Sequence, residues 1–254
     1  MPFTFAHPAV VLPFGFIKKY KFSITGLIIG SMSPDFEYFI KMKGEREYGH
    51  SLAGIFWFDL PLSILIAFAF HLVVRNPLLN NLPYFLQRRF SNEKRFDWTK
   101  WFKKNTPFVI LSFLIGIASH LFMDGFTNEN GFFVRNIPFL KESIRTDYTS
   151  LYFNNLLSYV LSLVGCLVVV YAIFKQRIDR KAAVDKPTIG YWAFLLLVAV
   201  SVIILKTNAI ENERMIKYWY LYISGYAIIA LSSFMIGLGV TSLIFTLKEK
   251  AASA

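Results

Sequence analysis

The sequence predicts an all-α, polytopic membrane helix bundle: about five transmembrane helices, preceded by an N-terminal amphipathic or re-entrant helical segment. Three observations predict it. Of 254 residues, 55% are hydrophobic and only 17% charged, where soluble domains run to about half and a quarter. Mean hydropathy is positive, at +0.47. The charged residues also cluster between long uncharged runs, five of which approach the roughly 20 apolar residues that a spanning helix needs.

The N-terminal segment comes first and is the least regular. His7-Pro8 opens an apolar stretch to Ile17, Lys18, Lys19 and Lys21 form a basic cluster, and Thr25–Met32 is apolar but too short to span. These lengths suit helices that lie in the interface or turn back within the membrane. No cationic stretch followed by an apolar run and a small-residue cleavage site opens the chain, so a cleaved signal peptide is not expected. Residues 33–51, SPDFEYFIKMKGEREYGHS, then lead into the first span.

The expected spans are Leu52–Val74, Pro107–Phe126, Leu156–Phe174, Gly190–Leu205 and Trp219–Leu247. In lipid every backbone polar group must be satisfied internally, so helix is the expected form of each. The fourth is short, and its ends depend on where Tyr191 and Trp192 sit. No repeat or low-complexity tract breaks the chain. A single membrane domain over 1–254 is expected, with 1–135 as metal-site core and 136–254 as additional transmembrane helices. The lone cysteine, Cys166, excludes an intrachain disulfide.

A formal charge of +11 raises the question of nucleic acid, and the distribution answers it. Between the first two spans, residues 75–104 carry eight Lys/Arg against Glu93 and Asp97. The loop after the third span adds Lys175, Arg177, Arg180, Lys181 and Lys186, and the tail Lys248 and Lys250. The 127–155 loop balances three basic with three acidic residues, and 206–218 is similarly mixed. Basic residues alternate by loop, as the positive-inside rule requires of cytoplasmic segments. Nucleic-acid binding is therefore not expected; membrane lipids are. Lys18, Lys19, Lys21, Lys41, Lys43 and Arg46 run against this orientation, since the first 51 residues should lie outside. Either the orientation is reversed or these residues meet anionic headgroups or substrate phosphate.

Four histidines occur, and their placement is informative. His120 and Asp124 are spaced i,i+4, on one helix face and about 6 Å apart along the axis. Ionisable groups inside an apolar run are costly unless they face protein, water or metal. His50 opens the first span where the second span ends, so His50, His120 and Asp124 reach one membrane face; Asp35 and His7 lie on the external segment that packs there. Five N/O donors on one face suit Zn²⁺ or a similar divalent ion. His71, near the inner end of the first span, is read as an interface histidine. Asp59, nine residues past His50, falls on roughly the opposite helix face and reads as a bundle-facing hydrogen-bond partner, or as a group standing behind the ligands, rather than as a ligand.

The stretches MPFTFAHPAVVLP, GSMSPDFEYF, GHSLAGIFWFDLPL and GIASHLFMDGFTNENGFF resemble an uncharacterised family of bacterial membrane proteins. That family is similar to inner-membrane metal-dependent hydrolases of the LexA-binding type. The likeness covers residues 1–135; the last three spans match only as generic membrane helices. A more distant similarity is to zinc-dependent phospholipase C and single-strand nucleases, whose core zinc ligands run Asp, His, then a distant His-x-x-x-Asp on one helix. Asp35, His50, His120 and Asp124 follow that order, and His7 looks like the early histidine that holds a neighbouring metal. Relatives often carry histidine where this chain has Asn128, which argues against a full three-metal site; one metal fits, or two sharing Asp124.

The resemblance implies a metal-dependent hydrolase, acting on a phosphoester or phospholipid at the extracytoplasmic face of a bacterial inner membrane. If the site is catalytic, metal chemistry would have Asp35 or Glu37 take the proton from water; Lys43 and Arg46 would neutralise phosphate or, as their more ordinary reading, contact lipid headgroups. The alternative is a non-catalytic membrane protein or transporter in which the His/Asp cluster is a structural metal site. The cluster's place at the rim and the lack of repeat symmetry favour the hydrolase.

Overall fold

The computed structural model describes residues 2–15, 21–145, 150–208 and 219–252. Lys18, Lys19 and most of the 206–218 connection lie outside the described residues. The architecture is an all-α bundle. Among the described residues, five helices are long and apolar enough to cross a membrane: Leu52–Asn81, Trp98–Asn136, Phe153–Lys175, Ile189–Asn208 and Gly225–Ala251. They contain or overlap all five expected segments. Much of their apolar surface points outward: only 11% of the third span's most apolar window is buried, and Leu163, Leu167, Leu197 and Leu205 are exposed. Such faces need lipid against them.

The chain divides into two compact units, and the first holds Met1–Asp35, Glu47–Ala67 and Lys100–Lys175. Here the N-terminal segment forms two short helices, α1 (Pro8–Gly15) and α2 (Ile24–Met32), packed on each other. Ser23 caps α2, accepting from the Gly26 N–H at 3.0 Å. Its own N–H donates to Ser112 Oγ on the second span at 2.9 Å. From there α2 runs parallel to the second span. Gly26 lies against Val109 and Ser112, Gly30 against Phe113, and Gly116 against Leu27 and Ser31. These glycines bring backbone against backbone, as small residues do between membrane helices. The second span bends at Asn105, whose φ of −126° is not helical, two residues before Pro107. The third span begins beyond a hairpin of β1 (Ser143–Arg145) and β2 (Ser150–Tyr152), antiparallel with Ser143 opposite Tyr152. Its Gly165 packs on Ala6.

The second unit comprises Phe36–Arg46, Phe68–Thr99 and Gln176–Ala254. It opens with α3 (Phe36–Lys41), which ends at Met42 in a left-handed conformation, φ 51°. The fourth and fifth spans pack along each other, with the Tyr191 hydroxyl 2.9 Å from Ser242 Oγ. His71 stacks on Trp98 with centroids 4.7 Å apart, and its Nδ1 accepts from Arg75 at 3.2 Å. That partnership gives the residue a packing role.

Asn81 is the hub of this unit's loops. Its Oδ1 accepts from both the N–H (2.9 Å) and the hydroxyl (2.7 Å) of Thr188, while Nδ2 donates to Pro77 O. Its carbonyl accepts from Trp192 Nε1. Asn81→Ala is expected to lower stability by about 0.5–1.5 kcal/mol, because the buried side chain's hydrogen bonds to Thr188 and Pro77 are lost. A fall in the thermal unfolding midpoint of the detergent-solubilised protein, with metal content unchanged, checks this.

Candidate metal centre

His7, Asp35, His50, His120 and Asp124 all belong to the first unit, and the fold brings the five together. Each arrives on a different local device. His7 ends a short 3-10 turn, Thr4–Ala6, and Pro8 opens α1 directly behind it. Asp35 closes the 3-10 turn Ser33–Asp35 that follows α2. His50 sits in the turn before Ser51, which caps the first span by accepting from the Gly54 N–H at 2.9 Å. His120 and Asp124 share one face of the second span.

Two overlapping groups result, His7–Asp35–His120 and His50–His120–Asp124; within each, the candidate ligand atoms lie within 4.8 Å of one another. His120 Nε2 is 3.5 Å from Asp35 Oδ1 and 3.8 Å from Asp124 Oδ2. His50 Nε2 is 3.2 Å from Asp124 Oδ2 and 3.7 Å from Asp35 Oδ1. The His7 ring stacks on His120, centroids 3.9 Å apart at 16°. The cluster is buried throughout; the His50 side chain, at 11%, is the most accessible part.

Neighbouring groups fix the orientations. His120 Nδ1 donates to the Ser31 carbonyl at 2.8 Å, a carbonyl being able only to accept. That hydrogen bond leaves Nε2 to face the carboxylates. Asp35 Oδ2 accepts from the Thr4 hydroxyl at 2.6 Å and Asp124 Oδ2 from Asn128 Nδ2 at 2.8 Å. Partners of this kind hold ligands in place around metal ions. Asn154 Nδ2 donates to the Thr127 carbonyl and ties the third span to the end of the second.

The electrostatics require a cation. Among the described residues, His120 Nε2, Asp35 Oδ1 and both His7 ring nitrogens are buried without a hydrogen-bond partner. A bare Nε2 lone pair aimed at two carboxylates is repulsive, so a proton or a metal ion belongs between them. Burial, with His120 beside it, pushes His7 down to about 3, which keeps the ring neutral and able to ligate. Burial opposes the ionised form of Asp35, but His120 and the Thr4 hydroxyl outweigh it and hold the carboxyl below its ordinary range. The cluster can therefore coordinate a metal ion.

The shift at His7 predicts acid sensitivity. Below its ordinary value of 6.5 the unfolded chain takes a proton that folded His7 refuses until about 3. Stability from this residue is complete above 6.5 and is lost as pH falls toward 3. The unfolding temperature of metal-free protein should fall across that window, and fall less in His7→Phe, which keeps the stacked ring but cannot titrate.

The remaining expected residues, Glu37, Lys43 and Arg46, belong to the second unit. Glu37 is buried on α3 in the second unit, its Oε1 2.7 Å from Lys41 Nζ, and belongs to neither ligand group. Lys43 and Arg46 are exposed. Thr4 and the Ser31 carbonyl escaped sequence reasoning, since a threonine in an N-terminal turn and a backbone carbonyl carry no spacing signal. Asn128 did have one: it stands one helical turn beyond Asp124, where an amide can reach back to the carboxylate.

The family described as Domain of unknown function (DUF4184) matches residues 1–243, and the chain belongs to that family. No curated protein and no solved structure matches it.

Proposed function

We propose that this member of the DUF4184 family is a membrane-embedded, metal-dependent hydrolase that cleaves a phosphoester, with a phospholipid as preferred substrate, at the extracytoplasmic face. The observation that carries this reading is the set of five converging N/O donors, in which His120 Nε2, Asp35 Oδ1 and both His7 ring nitrogens are buried without a hydrogen-bond partner among the described residues. Three imidazoles and two carboxylates, with no thiolate, fit Zn²⁺ first among divalent ions. His120 belongs to both ligand groups but has only Nε2 to offer, and one sp² nitrogen does not bridge two ions. We assign one ion, held by His120, Asp35 and Asp124 with His50 and His7; a second would have to share a carboxylate. The loop charges support the extracytoplasmic side.

When bound, such an ion supplies a Lewis acid for a phosphoryl oxygen and an acidified water. The chain's own contribution is positioning and proton handling. Thr4 holds one oxygen of Asp35 and leaves Oδ1 facing the cluster, where it can accept a proton from water. Asn128 donates to Asp124 Oδ2, the oxygen that faces His50 and His120, and so steadies that carboxylate directly. His50, the ligand nearest solvent, borders the path by which a substrate reaches the centre. Glu37, Lys43 and Arg46 are not needed in this reading.

The test uses full-length protein in mixed micelles. Metal content is measured directly, and hydrolysis of phosphatidylcholine and of a chromogenic phosphodiester is followed before and after chelation and Zn²⁺ return. One equivalent of metal, with turnover abolished by chelator and by Asp124→Asn, supports the reading. Tightly bound metal without turnover of either substrate makes the site structural; a metal-free wild type ends it.

A further inference from the structure

We propose that Asp59 is a positioning residue for His50, so that the first span itself sets the geometry of the metal centre. This rests on the metal-centre reading above. Asp59 is fully buried within an apolar span, a costly place for a carboxylate and hence a marker of function. On a regular α-helix, nine residues carry it to the face opposite His50. The first span is not regular there. Ile55–Asp59 forms a π-helical turn, with the Leu60 N–H donating to Ile55 O. Such a turn closes over i→i+5 and retards the helical phase by about one residue, roughly 100°. His50 stands in the turn before the helix begins, so α-helical phase alone does not fix how Asp59 meets it.

The rotated carboxylate meets the turn that carries His50. A methyl group added to Gly49 would lie 3.1 Å from Asp59 Oδ1 and 2.5 Å from the Pro34 carbonyl oxygen. Gly49 precedes His50, and Pro34 precedes Asp35. One close-packed point, with Asp59 against it, therefore joins the two backbone turns that deliver two of the five donors. Only glycine leaves room for that approach. The Ser63 hydroxyl donates to the Asp59 carbonyl at 2.7 Å and secures the end of the π turn. π turns recur at functional sites because they re-aim a side chain in this way.

The inference is tested on full-length protein loaded with Co²⁺, whose visible absorption reports ligand number and geometry. His50→Ala supplies the reference spectrum for a missing imidazole. Asp59→Ala should bind metal about 10- to 100-fold more weakly and shift the Co²⁺ spectrum toward that of His50→Ala. Asp59→Asn, which keeps the shape and one acceptor oxygen, should restore most of both. If Asp59→Ala yields no folded protein, Gly49→Ala crowds the same contact and should show the same shift. Wild-type affinity in Asp59→Ala, or weakened binding with an unaltered spectrum, overturns the proposal and leaves the metal centre standing. Full metal content in His50→Ala and His120→Ala would instead remove the centre, and this inference with it.

Discussion

His120→Ala protein should lose its bound metal, with affinity falling by more than about 100-fold, the upper end of what losing an outer hydrogen-bond partner costs. The residue is shared by both ligand groups, so no complete group survives its removal. It also carries structure. Its Nδ1 satisfies the Ser31 carbonyl on α2, and its ring stacks on His7. Alanine leaves that carbonyl unpaired, opens a cavity in a fully buried position, and lets Asp35 and Asp124 face each other with no cation between them. The combined cost is on the order of 2–5 kcal/mol. Asp124→Asn separates binding from folding. It removes one anionic donor without a cavity, so metal should be lost with a much smaller change in unfolding temperature. Equal metal content in wild type and His120→Ala would show that the cluster is held by protons alone.

Much of this site was legible in the sequence, for a physical reason. Apolar runs as long as a bilayer is thick announce spans, and the spans dictate which ends share a face. His50 at the start of one span and His120–Asp124 at the end of the next were thereby bound to meet. Asp35 and His7 were less constrained, because no span carries them. Their place depends on α2 running along the second span through Gly26, Gly30 and Gly116, and a glycine in an apolar run does not say which helix it will touch. For Asp59, periodicity could not choose between a bundle-facing partner and a group behind the ligands, because it assumes an α-helix. Nothing in IFWFD reveals that the turn is π. The groups that orient the ligands were hidden for a further reason. Thr4 and Ser31 act through one hydroxyl and one carbonyl, and their function exists only once the chain is folded.

That dependence on backbone contact makes Gly116→Ala the second substitution with a large expected effect. A Cβ at this position would lie 2.5 Å from the Leu27 carbonyl oxygen, 2.6 Å from the Ser31 nitrogen and 2.8 Å from the Gly30 carbonyl carbon. All three are backbone atoms, so no rotamer change relieves the clash, and α2 must move away from the second span. Overpacking of this kind costs about 1–3 kcal/mol. The displacement also falls on the residues that build the centre. Ser31 holds His120, and Asp35 follows α2 after one short turn, so the gap between Asp35 Oδ1 and His120 Nε2, now 3.5 Å, should widen. Metal affinity is expected to drop together with stability, although no ligand has been touched. Gly239→Ala is the control: it adds a methyl where nothing lies within 4 Å, and in a helix interior the change should be neutral or stabilise by up to about 1 kcal/mol. Thermal unfolding and metal content of the two variants, measured side by side, distinguish a specific seam from a general intolerance of added volume. Should Gly116→Ala keep both at wild-type level, α2 does not hold the centre together, and Asp35 must be placed by other contacts.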